Sequence, residues 1–258
     1  RFFCPTRGKW TLAGEPCRRA MSREACAGCF EDQAYFGEVL ALTERRLEAA
    51  RRLPLTVLSA YMRGELAAAG VPAERVSVVP GFVHGLDPGA APSGSPCVLF
   101  VGRLVDAKGV RDGLAAWRRS GVDLPLVVAG TGPLRRELAA RAERGEDPGL
   151  EVMGWVERDR LSSLYRRARA LLLPSRWQEP FGIVGLEALS FGVPVVAWES
   201  GGVKEWHPGP GLVPWGDVTA LARALEDAVH RRVSPPAGFG REDAIARLLA
   251  VYRSLLSD

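Results

Sequence analysis

Apolar positions along the chain fall into two kinds of run, and their alternation sets the expected fold. Short continuous stretches at 55–59, 76–81, 97–102, 126–129, 170–173 and 195–198 read as strands buried on both faces. Between them the apolar residues recur at helical spacing, at 32–52, 61–69, 109–119, from 134 onward, 182–191, 217–231 and 241–256. In the segment 32–52, Val39, Leu40, Leu42 and Leu47 are expected inward, with Arg45, Arg46, Glu48, Arg51 and Arg52 outward. Strand, loop, helix and strand repeated in this way define an α/β chain with a parallel sheet.

The stretch GLDPGAAPSGSP at 85–96 interrupts the alternation and reads as a linker. It divides the expectation into residues 1–84, a unit at 97–240 and a last helix at 241–258. Four strands end in polar or glycine-bearing loops: Gly102-Arg103, Gly130-Thr131-Gly132, Ser175-Arg176 and Glu199-Ser200-Gly201-Gly202. In an open parallel sheet those carboxyl ends share one edge, where ligands bind, so Arg103, Lys108, Glu179 and Glu187 can meet there.

Glu187 is the one charged side chain between Gly182 and Phe191, and a carboxylate so placed needs partners to offset lost water. Glu179 lies eight positions earlier, before Pro180. Between the two, Phe181, Gly182, Ile183 and Val184 offer backbone N–H groups at a positive helix end. Spacing alone carries little, because 30 acidic residues in 258 give about three such pairs by chance. The bland alternative is Glu187 satisfied by a neighbouring Arg, with Glu179 solvated on its loop.

The context is more specific. Glu179-Pro180-Phe181-Gly182 ending at Glu187-Ala188, with Ser175 before and Gly192-Val193-Pro194-Val195-Val196-Ala197 and Gly201-Gly202 after, resembles the E-x7-E signature of group 1 retaining glycosyltransferases. The loop Val101-Gly102-Arg103-Leu104 to Lys108-Gly109 resembles that family's diphosphate loop. The resemblance implies a GT-B fold: a Rossmann-like donor-binding domain, preceded by the C-terminal part of a second Rossmann-like domain. It implies transfer of a sugar from a nucleotide-diphosphate donor with retention of configuration. By the same resemblance Glu179 meets the donor sugar, Glu187 the ribose, and Arg103 with Lys108 the diphosphate. Gly102, Gly130, Gly132, Met153 and Gly154 would line the donor path, with Phe181, Gly182, Ile183 and Val184 giving backbone donors. Pro80-Gly81-Phe82-Val83-His84 departs from the family's usual P-N-G-V-D, and His84 is read as a surface residue. Two other classes stay open: a nucleotide-binding relative without catalysis, and a GT-B sugar-nucleotide epimerase.

Composition bounds the rest. A content of 47% hydrophobic and 25% charged residues is that of a globular protein with an ample core. The net charge of +4 does not point to nucleic acid, because Arg is scattered beside Asp and Glu and only Lys9, Lys108 and Lys204 are lysines. No apolar run reaches the length of a membrane span. A cytoplasmic place is expected, with peripheral attachment at the inner membrane face as the variant. The acceptor, whether a glycan, a lipid-linked group or a small molecule, is not legible. The opening at Arg1 reads as the middle of a longer protein, so the chain is expected to bind a donor without transferring its sugar. No cofactor is expected for catalysis. Cys4, Cys17, Cys26 and Cys29 could close around one structural zinc, form a redox pair or remain thiols, while Cys97 opens a strand and belongs to the core.

Overall fold

The computed structural model describes residues 4, 8–9, 14–89, 91 and 94–256. Most of the opening residues, linker positions 90, 92 and 93 and the last two residues of the expected C-terminal helix lie outside them. Two parallel sheets organise the described residues. The smaller pairs β1 (Leu55–Val57) with β2 (Val76–Val78). The larger contains β3 (Cys97–Val101), β4 (Leu126–Ala129), β5 (Leu150–Gly154), β6 (Ala168–Leu173), β7 (Val195–Trp198) and β8 (Leu212–Val213). Its spatial order is β5-β4-β3-β6-β7-β8. The chain winds outward from β3 in one direction, then returns to β6 on its other side and winds the opposite way. Such a reversal opens a crevice at the carboxyl ends of the two central strands.

Nine helices accompany the sheets among the described residues: α1 (Arg23–Ala27), α2 (Gln33–Ala50), α3 (Ala60–Ala68), α4 (Val110–Ser120), α5 (Arg135–Glu143), α6 (Arg158–Arg167), α7 (Ile183–Ser190), α8 (Val218–Ala228) and α9 (Arg241–Leu256). Successive strand residues point to opposite faces, and both faces of the large sheet are covered. On one side Val98, Phe100 and Leu172 pack with Leu114 and Trp117 of α4 and Leu221 and Leu225 of α8. On the other, Leu99, Leu171 and Leu173 pack with Leu164 and Tyr165 of α6 and Leu186 and Leu189 of α7. Burying each large side chain contributes about 1.5–3 kcal/mol, so this two-sided core fixes the crevice between β3 and β6.

The first part of the chain has its own smaller core of Leu47, Ala50, Val57, Leu66, Val71 and Val76. In α2, Asp32 caps the helix by accepting from the Ala34 and Tyr35 N–H groups at 2.9 and 3.0 Å. The buried face is Phe36, Leu40, Thr43, Leu47 and Ala50. Leu42, expected inward, is 40% exposed, because a face phased by Phe36 and Leu40 turns position 42 to solvent. Helices α1 and α6 and strands β5 and β8 were not expected from the sequence.

Candidate functional site

The β3 exit leads through Gly102 and Arg103 into a 3-10 turn at Asp106–Lys108, closed by Gly109. Gly109 sits at φ 67°, and a Cβ there would lie 1.7 Å from the Pro174 carbonyl oxygen. Glycine thus lets the Lys108 turn dock on the end of β6. The result is a contact between residues 71 positions apart: Lys108 Nζ lies 2.5 Å from Glu179 Oε1. Ser175 Oγ donates to the same oxygen at 2.5 Å. Glu179 is 3% exposed, not solvated, and its loop is held from the β7 side, where its N–H donates to Ser200 Oγ at 3.2 Å. Neighbouring Arg176 forms a two-pronged pair with Asp112 of α4 at 2.6 and 2.7 Å, which holds it away from the crevice. The ring of Trp177 has Lys108 Nζ at 4.5 Å and Arg103 Cζ at 5.7 Å from its centroid.

Helix α7 starts at Gly182, whose αL backbone makes no side-chain cap. Its first turn therefore presents uncapped polarity to the crevice beside Glu179. One turn on, Glu187 Oε2 accepts the Tyr165 hydroxyl at 2.8 Å. Burial raises the Glu187 pKa above the ordinary carboxylate value, while Tyr165, Arg158 and His84 pull it back. Its direct partner is the phenol of α6 and not a neighbouring arginine. Nothing in the residues around Glu187 signals Tyr165. The apolar spacing of Leu161, Leu164 and Tyr165 was the one available clue to the helix that delivers it.

Two adjoining cavities occupy the crevice. The larger, about 740 Å³, runs from Gly102, Lys108, Ser175, Glu179 and Gly182 to Phe82 and His84, with Ala244, Ile245 and Leu248 of α9 on its wall. His84 is exposed, as read from the sequence, and stands along this cleft. The smaller, about 270 Å³, is bounded by Gly102, Arg103, Gly130, Thr131, Trp155, Val156, Val184 and Glu187. Gly102, Arg103, Lys108, Gly130, Phe181, Gly182, Ile183, Val184, Glu179 and Glu187 thus line one or both of these two cavities, which share Val101, Gly102 and Val184.

Met153 instead packs on the apolar core, and Gly154 accepts the Gly130 N–H at 2.7 Å. At Gly130 and Gly132 the structure gives a backbone reason for glycine: a Cβ would stand 1.8 Å from the Gly102 oxygen and 2.4 Å from the Leu104 oxygen. Two further groups tie the first part of the chain to the segments after β6 and β7. Ser59 Oγ donates to the Pro180 carbonyl at 2.6 Å, and Glu205 accepts the Ala60 and Tyr61 N–H groups at 2.8 Å, capping α3.

Cys4, Cys17, Cys26 and Cys29 are partly buried, and Cys97 is fully buried in β3. Burial raises the Cys26 pKa, with smaller upward contributions from Cys4, Cys29 and Cys17. Among the described residues, however, no three His, Cys, Asp or Glu side chains are arranged to hold a metal ion. No helix there is long and apolar enough to cross a membrane.

The reversal of strand order between β3 and β6, with cations and carboxylates gathered at that point, marks a candidate ligand site at the carboxyl ends of the strands. The profile of the family described as glycosyl transferases group 1 matches residues 95–231, and the chain belongs to that family. Among curated relatives, a 2-deoxystreptamine N-acetyl-D-glucosaminyltransferase of Streptomyces fradiae is 34% identical over 181 residues, 63% of this chain and 43% of the relative. A glycogen synthase of Mycobacterium tuberculosis is 35% identical over 140 residues, 51% of this chain and 33% of the relative. The chain thus spans less than half the length of these two relatives. Among solved structures, the lipopolysaccharide outer core galactosyltransferase WaaB in its apo form superposes with a TM-score of 0.62 at 21% identity, covering 77% of this chain and 61% of the other. Anabaena HepE in complex with UDP-glucose gives 0.62 at 20% identity, covering 88% and 70%. The fold is of the GT-B type expected from the sequence.

Proposed function

We propose that this chain supplies the donor side of a retaining sugar transfer from a nucleoside-diphosphate sugar. One observation carries the reading: Lys108, buried Glu179 and the uncapped start of α7 converge at the carboxyl ends of β3 and β6. A leaving nucleoside diphosphate gains negative charge as the glycosidic bond breaks. Arg103 and Lys108 would stabilise that charge without a metal cofactor, helped by the N–H groups of Phe181 to Val184. Glu179 would accept the sugar hydroxyls and Glu187 the ribose diol, with the base in the smaller cavity. HepE's complex with UDP-glucose makes UDP the first nucleotide to try. The acceptor would enter between this crevice and the part of the protein that carries β1 and β2. A structural zinc at Cys4, Cys17, Cys26 and Cys29 is a separate proposal, resting on the four cysteines of the opening segment and decided by zinc analysis of freshly purified protein.

Isothermal titration with UDP, GDP and ADP tests the donor reading. Glu187→Gln keeps the volume and removes charge-assisted hydrogen bonds worth roughly 1.5–3 kcal/mol each. Affinity for the preferred nucleotide should fall about tenfold or more. Equal affinity of wild type and variant for all three nucleotides would remove Glu187 from the site.

A further inference from the structure

Trp177 stands where groups from separate motifs meet. It lines the larger cavity with Lys108 and Glu179, and both Lys108 and Arg103 lie close to its ring, at 4.5 and 5.7 Å. Its backbone is fixed on both sides: the N–H donates to the Ala107 carbonyl at 3.2 Å, and its carbonyl accepts the Ser200 hydroxyl at 2.7 Å. Gly8 presses on the ring, where a Cβ would meet Trp177 Cε3 at 2.8 Å, and the Gly8 carbonyl accepts the Gln178 N–H at 2.9 Å. The indole Nε1 is nevertheless buried without a hydrogen-bond partner. A phenylalanine would fill much of this space and bury no unpaired donor. What the indole adds is the strongest cation-attracting face among the side chains.

We propose that Trp177 is a positioning residue of the donor site, a platform that keeps Lys108 and Arg103 aimed at the diphosphate. The proposal rests on the donor-binding reading above. Lys108 is shared between the Glu179 carboxylate and the Trp177 ring. A carboxylate in place of the ring would hold the cations more tightly, but it would cancel the charge that a diphosphate needs. A ring orients them and leaves their charge intact. It also gives the ammonium a resting place near the crevice when it moves from Glu179 to an arriving phosphate. That shift opens a place for a sugar hydroxyl on Glu179 Oε1 beside the Ser175 hydroxyl.

The test is titration of wild type, Trp177→Leu and Trp177→Phe with UDP, GDP or ADP, whichever the wild-type chain binds most tightly, and with the matching nucleoside. Trp177→Leu should lose roughly tenfold in diphosphate affinity with nucleoside affinity unchanged, and Trp177→Phe should fall between. Should Trp177→Leu fail to fold, Trp177→Phe carries the same comparison at roughly two- to threefold. A parallel loss for nucleoside and diphosphate would reduce Trp177 to a packing role, and unchanged diphosphate affinity in a folded Leu variant would remove it from the site. A wild-type chain that binds none of the three diphosphates would overturn the donor reading itself, and this proposal with it.

Discussion

At the end of β6, Glu179 is 3% exposed, with an ammonium and a hydroxyl on one oxygen. Eight residues later, in α7, Glu187 is half-buried and held by the Tyr165 phenol, with Arg158 and His84 as more distant favourable charges. The first region buries a charge by pairing it. The second keeps a carboxylate beside an open cavity, satisfied by a neutral donor and titratable above its ordinary range. A paired charge holds its geometry but must exchange a partner to meet a ligand, whereas the second is ready to accept hydroxyls at once. On the proposed donor reading, the difference would suit a moving diphosphate and sugar on one side and a static ribose on the other.

The largest expected effect comes from breaking the pair. Lys108→Met leaves Glu179 buried without its cation, and loss of one partner of a buried pair costs about 3–5 kcal/mol. Urea denaturation should show that loss. The double variant Lys108→Met/Glu179→Gln should recover most of it, because no unpaired charge remains. A wild-type urea midpoint in Lys108→Met would mean that Glu179 finds water, and the contrast between the two regions would collapse.

A smaller effect is expected at the second carboxylate. Tyr165→Phe removes one hydroxyl from a core that otherwise stays packed, against Leu164 and Phe191 among others. The expected loss is about 1 kcal/mol, read from the same denaturation curves. A cost as large as that of Lys108→Met would show that the phenol, like the ammonium, compensates a fully buried charge.

How much of this was legible in the sequence follows from the same physics. Parallel strands buried on both faces must be apolar runs, so β3, β4, β6 and β7 could be read directly. Strand β8, Leu212–Val213, is too short to make a run. Helix α6 hides its apolar stripe of Leu161, Leu164 and Tyr165 among Arg158, Arg160, Arg166 and Arg167. Glu179, Glu187, Arg103 and Lys108 stood out through their motifs. Their surroundings did not: Tyr165 reaches Glu187 from α6, Ser59 reaches the Pro180 carbonyl from before α3, and Asp112 of α4 pairs with Arg176. Local polarity even misleads: the apolar neighbours of Glu187 suggest the deeper burial, yet Glu179 on its polar loop is the more buried.

The smallest and most diagnostic effect is one of pH. Burial raises the Glu187 pKa above its ordinary value of 4.5, and the Tyr165 hydrogen bond lowers it again. Between the unfolded and folded values the native state holds more proton than the unfolded chain, so stability falls as pH rises through that window. Glu187→Gln has no such proton to lose. Its melting temperature should therefore gain on that of the wild type as pH climbs from about 4 through the folded pKa, and then run parallel. Nucleotide affinity should move the other way, weakening as pH drops and Glu187 takes up its proton. In Tyr165→Phe the opposing hydrogen bond is gone, so both midpoints should shift to higher pH. Thermal melts and titrations across pH 4 to about 8 on the three proteins check the argument. Superimposable pH profiles for wild type and Glu187→Gln would show that this carboxylate titrates as it would in water, leaving the two regions alike.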